Sequence, residues 1–406
     1  MEHLTLHRSA AVVGGGPAGL MAAETMARSG LPVTVYEHKR SAARKFVLAG
    51  RSGLNLTHDE DLETLLSRYG DLHSSIEAAI RAFPPSAVRE WAEELGHTTF
   101  VGTTGRVFPE EMRSTPLLRS WLRRLDELGV ELRTGHRFVG WTEDGSLRFD
   151  SSTGLVEVTA DATVMAMGGA SWPSTGSDAG WVEPLREAGI EVNSLVASNC
   201  GVIIEWSEHF GPRFAGTPLK NVTLTVGGAS RRGDPVVTST GLESGPVYAL
   251  VPEIRDQLAG PGVIVYADMQ PDRSHAQLVA HLTSKRRPKD SLSTWLRRAG
   301  LEPVTIGLLR EATGNNVPTN ADELAELLKA APIPITGLSS LDRAISSAGG
   351  VAMSELDDSF MLQKMPDTYV IGEMLDWDAP TGGYLLQACF SMGRQAGAAA
   401  VTRALA

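Results

Sequence analysis

The sequence predicts an α/β protein: a β-α-β layer interrupted by a long insert that is first antiparallel β and then helical. Three observations predict it. A glycine loop, AVVGGGPAGLMAAE at residues 11–24, stands between an apolar strand and an alanine-rich helix. A second glycine-bearing stretch, YVIGEMLDWDAPTGGYLLQACFSMGRQAG, occupies residues 369–397. Between them the apolar pattern turns alternating and glycine-punctuated, then helical.

The elements follow in order. Residues 9–13, SAAVV, form a short apolar strand running into Gly14, Gly15, Gly16, Pro17, Ala18 and Gly19. A helix is expected over 18–29, stopping at Gly30, and a second strand over 32–36, ending on Glu37. Residues 59–96 read as helices, with apolar residues at helical spacing in DLETLLSRYG and SAVREWAEELG. A further helix over 115–128 ends at Gly129 and leads into VELRT, and the β-rich pieces LRFDSSTGLVEVTA and ATVMAMGG follow. From about 192 to 268, GVIIEW, NVTLTVGG and GVIVYADM predict antiparallel strands; from 274 to 331, HAQLVAHLTSK, SLSTWLRRAG, TIGLLREATG and ADELAELLKAA predict helices. No internal repeat or low-complexity linker appears.

At 406 residues the chain is too long for one ordinary core and predicts two or three domains. Its 42% hydrophobic and 21% charged content are those of a soluble globular protein, and no apolar run approaches the ~20 residues a membrane helix needs. MEHLTLHRSA lacks signal-peptide architecture, so a cytoplasmic location is expected and no membrane partner. Two cysteines, Cys200 and Cys389, exclude a disulfide framework and a Cys-x-x-Cys dithiol. The net charge of −11 argues against nucleic acid as a global partner. There is no metal-ligand cluster and no Ser/His/Asp signature.

Gly14, Gly16 and Gly19 give Gly-x-Gly-x-x-Gly directly after a strand and at a helix start. The three glycines serve a tight turn, close approach of backbone to pyrophosphate, and helix–strand packing. With Pro17 and Ala18 they open a helix whose free N–H groups favour phosphate. Glu37 is placed to accept hydrogen bonds from a ribose hydroxyl pair, and its charge repels a 2′-phosphate; FAD or NAD fits better than NADP. His38 and Lys39 follow it.

The second stretch decides between them. Strand Tyr369-Val370-Ile371 runs into Gly372-Glu373, which resembles the second FAD fingerprint of two-dinucleotide-fold flavoproteins, where an acid binds a ribitol hydroxyl. Here that acid is glutamate rather than aspartate. Gly382 and Gly383 then open the last helix, followed by Tyr384 and Leu385, and that N-terminus could face the flavin pyrimidine edge. Two glycine helices would serve one extended ligand.

The stretches GGGPAGL, ARKFVLAGRSGLNLTH, GRVFP, AMGGASWPSTGS, GLESGP, GGVAMSEL and GEMLDWDAPTGGYLLQACFSMGRQAG resemble, in order and over nearly the whole chain, the HI0933-like flavoproteins. That family includes the BaiN/RdsA-type NAD(P)/FAD-dependent reductases. The resemblance implies a split Rossmann-like FAD-binding domain (1–191 and 343–406) with an inserted antiparallel β domain (192–273 and 332–342) and a small helical domain (274–331). It also implies FAD as cofactor and reduction of an activated C=C bond in a small molecule or a uracil base of RNA. One departure marks a distinct subfamily: where the family's loop reads Gly-Gly-Gly-Arg-Cys-Asn, this chain has Gly50-Arg51-Ser52-Gly53-Leu54-Asn55, so the cysteine is Leu54 while Asn55 matches on the flavin side.

Further cofactor contacts are expected at Arg44 and Lys45, at Gly169 in Met167-Gly168-Gly169, and at Val139, which aligns with a strand whose backbone meets adenine in this fold. Trp172 and Tyr384 are expected to flank the flavin. Tyr384 and Asn55 are the catalytic candidates; His58, Asp376 and Asp378 also offer protons. No other glycine fingerprint follows a strand, so NAD(P)H would bind transiently over the flavin. Residues 285–298 carry Lys285, Arg286, Arg287, Lys289, Arg297 and Arg298 against Asp290, a candidate RNA-facing patch with Trp295 interleaved. The rival readings are an RNA uracil reductase and a non-catalytic FAD redox sensor.

Overall fold

The computed structural model describes residues 8–406 apart from positions 52, 259 and 261, so the segment 1–7, which entered the signal-peptide reading, lies outside the described residues. The chain forms two compact units. The first runs to Val196 and resumes with Ser346–Ala406; the second is Ala197–Ile345.

In the first unit, β1 (Ala10–Val13) is buried at all four positions, as a strand covered on both faces must be. It pairs in parallel with β2 (Val33–Glu37) on one side and with Ala162–Met165 on the other. Thr368–Val370 adds beyond Ala162–Met165 and Glu131–Thr134 beyond β2, completing a five-stranded parallel sheet. The chain therefore leaves this sheet for the insert and returns to its edge.

Helix α1 (Pro17–Arg28) starts one residue earlier than expected, because Pro17 presets the backbone of the first turn and Gly16 supplies the N-cap. It packs along the closing helix, Tyr384–Leu405. Contact is close because Gly393 and Gly397 face it: side chains there would come within 2.4 Å of the Ala18 carbonyl oxygen and 2.9 Å of that of Ala22. Glu24, buried on the other side of α1, accepts from the indole N–H groups of Trp91 (3.1 Å) and Trp121 (2.7 Å) and pairs with Arg28 (3.0 Å) and Arg124 (3.1 Å). One satisfied carboxylate thus fixes α1 against helices Pro85–Glu94 and Ser114–Glu127.

The second unit holds two four-stranded antiparallel sheets, one of them ordering Ala229–Gly233, Val222–Val226, Val263–Asp268 and Ala331–Ile335. Helices between His275 and Lys329 share that sheet's apolar core: Leu278, Trp295, Leu309 and Leu324 cluster with Leu224 and Val265. Trp295 is 1% exposed and donates to the Leu282 carbonyl, so it is a core residue and not an interleaved surface ring. Arg286 stacks over it at 4.1 Å, and Arg298 is paired with Asp290. No helix among the described residues is long and apolar enough to cross a membrane.

Candidate functional site

The first glycine loop and the returning strand open on one cleft. Gly14, Gly16, Pro17 and Ala18 line one wall, and Gly372, Glu373 and Cys389 another. Glu37, His38, Arg44 and Lys45 line the side formed by β2 and α2 (Arg44–Ala49). The loop's glycines divide their work. A side chain at Gly14 would strike the Ala166 carbonyl oxygen at 2.3 Å and one at Gly19 the Gly14 carbonyl oxygen at 2.1 Å, so both serve packing. A side chain at Gly16 would meet nothing within 4 Å; its open space is on the cleft side.

Glu37 accepts from the backbone N–H of Gly15 (3.0 Å) and of Lys39 (2.7 Å), locking the glycine loop to the end of β2. Burial pushes its carboxyl above the usual range, against those two donors. Lys39 itself contributes backbone here and does not line the cleft. Burial lowers the His38 imidazole to about 4, so the ring is neutral at pH 7. Its Nε2 is buried and has no hydrogen-bond partner among the described residues, and the same holds for Ser177 Oγ, also on the cleft. Arg44 makes no ion pair among the described residues.

At the other wall, Lys45 Nζ bonds both oxygens of Glu373 (3.0 and 2.8 Å) and Ser171 Oγ (2.6 Å). Ser347 donates to Glu373 from its N–H (2.8 Å) and its hydroxyl (3.2 Å). Gly169 is required beside this cluster, because a side chain there would overlap Ser347 Oγ at 1.8 Å. Cys389 is buried, and burial followed by the charge of Glu373 pushes its thiol up to about 12. It is a neutral thiol at pH 7. Leu54, which the resemblance sets opposite a cysteine, lies in the core at 1% exposure.

Several expected residues stand elsewhere. Val139 is 38% exposed at a bulge in strand His136–Trp141, while its neighbours His136 and Phe138 line the cleft. Asn55, Gly383 and Tyr384 form a separate cluster at the start of the closing helix: a side chain on Gly383 would lie 2.9 Å from Asn55 Oδ1. Gly382 and Leu385 flank that start and do not line the cleft. The cleft also recruits Thr175, Gly176 and Ser177, which sequence reasoning passed over although they fall within the quoted AMGGASWPSTGS. Asp376 accepts from Asn193 Nδ2 at 2.7 Å. No group of three or more metal-ligating side chains is assembled among the described residues.

Residues 8–399 match the family profile of the HI0933-like protein Rossmann domain. The 3-dehydro-bile acid delta(4,6)-reductase of Clostridium scindens is 23% identical over 414 residues, covering 97% of this chain and 98% of that protein. The ribosomal RNA dihydrouridine synthase of Haemophilus influenzae is 22% identical over 394 residues, covering 94% and 95%. Among solved structures, the 3-ketosteroid delta1-dehydrogenase of Sterolibacterium denitrificans superposes with a TM-score of 0.52 at 12% identity, over 97% of this chain and 99% of that one. That likeness is one of fold.

Proposed function

The chain belongs to the HI0933-like family of FAD-dependent oxidoreductases, and we propose that it reduces an activated carbon–carbon double bond of a small molecule, with FAD in the cleft and NAD(P)H as a transient donor. The observation that carries the reading is the cleft shared by the first glycine loop and the Gly372-Glu373 turn. Its chemistry fits a dinucleotide. Gly16 leaves room for a diphosphate at the N-terminus of α1, and Arg44 offers a free cation beside it. His38 Nε2 and Ser177 Oγ are buried polar atoms without a hydrogen-bond partner among the described residues, as hydrogen-bonding atoms of a ligand site are.

FAD, when bound, supplies the hydride chemistry. The chain's residues do the rest. Glu37 holds the loop and retains acceptor capacity for ribose hydroxyls. Lys45 keeps Glu373 oriented, bonding both of its oxygens. The backbone N–H groups at the start of the closing helix, together with Asn55 and Tyr384, would stabilise developing enolate charge.

The name of the Haemophilus influenzae relative supports a second reading, in which the alkene is a uracil base of RNA. With Arg286 stacked on Trp295 and Arg298 paired, the free charge of the basic stretch reduces to Lys285, Arg287, Lys289 and Arg297. One experiment tests both readings. The flavin is reduced anaerobically with NADH or NADPH, and its reoxidation is followed on adding steroid enones, uridine-containing RNA, disulfides or quinones. Reoxidation by an alkene is expected. Reoxidation by quinones or disulfides alone would overturn the reductase reading, and failure of NAD(P)H to reduce the flavin would favour a redox sensor. For RNA, neutralising the four free cations should flatten the salt dependence of binding.

A further inference from the structure

The first turn of the closing helix carries a linked set of ionisable groups that the cofactor reading leaves unused. Gly383, with φ of 98° and no side chain, lets the helix begin directly against Asn55 and Thr57, where a Cβ would lie 2.8 Å from Thr57 Cα. That placement brings the Tyr384 hydroxyl to Glu60, to whose Oε1 it donates at 2.6 Å. His58 lies across the same carboxylate, with Nδ1 3.6 Å from Oε1. Its ring stacks on the Tyr384 ring, centroids 5.5 Å apart and planes 19° apart.

The protonation pattern follows from the partners. His58 Nε2 lies 2.9 Å from the Thr104 carbonyl oxygen, which only accepts, so Nε2 carries a hydrogen and Nδ1 is the nitrogen facing Glu60. Nδ1 is buried and has no hydrogen-bond partner among the described residues. Gly105 holds the ring from behind, since a side chain there would lie 2.3 Å from Cε1. The other ionisable groups facing the set are Arg68, 3.5 Å from Glu60 Oε2, and Tyr69, edge-on to Tyr384 at 5.5 Å and donating to its carbonyl oxygen. His58 and Glu60 keep 18% and 12% side-chain exposure, so the set runs from solvent to the buried Tyr384.

We propose that His58, Glu60 and Tyr384 form a proton relay for the reduction, an assignment that rests on the alkene-reductase reading. Saturating a C=C bond takes one hydride, drawn from NAD(P)H through the cofactor, and one proton. For the proton, the Tyr384 O–H bond breaks as a bond to hydrogen forms on the product. In the same event the Glu60 carboxylate takes a proton from the Nδ1 of a His58 that has been protonated from water, and passes it to the phenolate, so Glu60 ends as the carboxylate it began as. One proton moves from solvent to product, and no electrons move along the relay. Burial, and then the Glu60 carboxylate, hold the Tyr384 hydroxyl well above its ordinary pKa, so it gives up its proton only as Glu60 returns another.

The test uses the FAD-loaded protein, reduced anaerobically with dithionite so that the nicotinamide step is bypassed, and mixed with 4-androstene-3,17-dione or uridine-containing RNA. Retained flavin and an unchanged unfolding midpoint establish that each variant is folded. For the alkene the wild type reduces, His58→Gln and Glu60→Gln should slow reoxidation about a hundredfold. They should also remove the fall of the wild-type rate with rising pH, whereas Glu60→Asp should restore part of both. Variants with wild-type rates and pH profiles would overturn the relay while leaving the reductase reading in place. A wild type reoxidised by neither probe would overturn both.

Discussion

Lys45 and Glu373 are 328 positions apart in the chain and are joined, ammonium to carboxylate, at 2.8 Å. Lys45 arrives on the short helix after the first β-α-β unit, Glu373 on the turn after the returning strand. Their contact ties the two glycine segments into one cleft.

Replacing Lys45 with Met leaves Glu373, buried at 8% exposure, with Ser347 as its only remaining hydrogen-bond donor among the described residues. The expected cost is about 1–3 kcal/mol of stability, read as a lower urea midpoint of the cofactor-free protein. An unchanged midpoint would show that the pair does not hold the cleft together.

Gly16→Val and Gly19→Val should differ in kind. The first adds a side chain where the protein has nothing within 4 Å, so the chain folds and loses bound FAD and its yellow colour. The second drives a side chain into the Gly14 carbonyl oxygen and should destabilise the apo-protein by about 1–3 kcal/mol. Absorbance at the flavin band and a thermal melt on the same samples separate the two outcomes; full flavin occupancy in Gly16→Val would refute the diphosphate assignment.

His38 makes stability depend on pH. Its folded value, about 4, lies below the ordinary 6.5, so between these values the unfolded chain binds the proton and the folded one does not. Stability therefore falls as pH drops from 6.5 toward 4, by an amount on the order of 1–3 kcal/mol. Asp178, with its carboxyl held low by Arg137 and His38 despite burial, adds to the loss at the acid end of that range, because the unfolded chain protonates it first. In His38→Gln the urea midpoint should decline less over that window, and an equal decline would place the acid sensitivity elsewhere.

Cys389 lines the cleft yet remains a thiol at neutral pH, and Leu54 stands where the family's loop has cysteine. Turnover should need no protein thiol. The Cys200→Ser, Cys389→Ser double variant should keep alkene-driven flavin reoxidation within a fewfold of wild type, and loss of that activity would implicate Cys389.

The parts of the site legible in sequence are those whose chemistry is local. Strand, glycine loop, helix and Glu37 are contiguous, and the structure places Gly14, Gly16, Pro17, Ala18 and Glu37 around the cleft. Val139 is not among the residues lining the cleft, although His136 and Phe138 of its strand are; a bulge between Phe138 and Gly140 shifts the register there. The Thr175–Ser177 segment escaped because its course depends on left-handed backbone at Trp172 (φ 59°) and Ala179 (φ 55°), residues whose types do not advertise that conformation. Glu60 carried no motif at all. Its meaning depends on Tyr384, 324 positions away, a pairing that only the folded chain discloses.

The division of the sheet between the two ends of the chain also sets an order of assembly during synthesis. When residues 10–165 have left the ribosome, four of the five parallel strands exist, but α1 still lacks the helix that covers it and the cleft lacks one wall. Both arrive only after the entire second unit has been translated, so at roughly 5–20 residues per second the first unit waits on the order of ten seconds or more with an apolar helix face uncovered. The second unit can complete its own core in that interval. Cofactor capture by the finished cleft is then a late event, and a nascent chain stalled anywhere before Tyr384 would present the uncovered side of α1 to chaperones rather than to a dinucleotide.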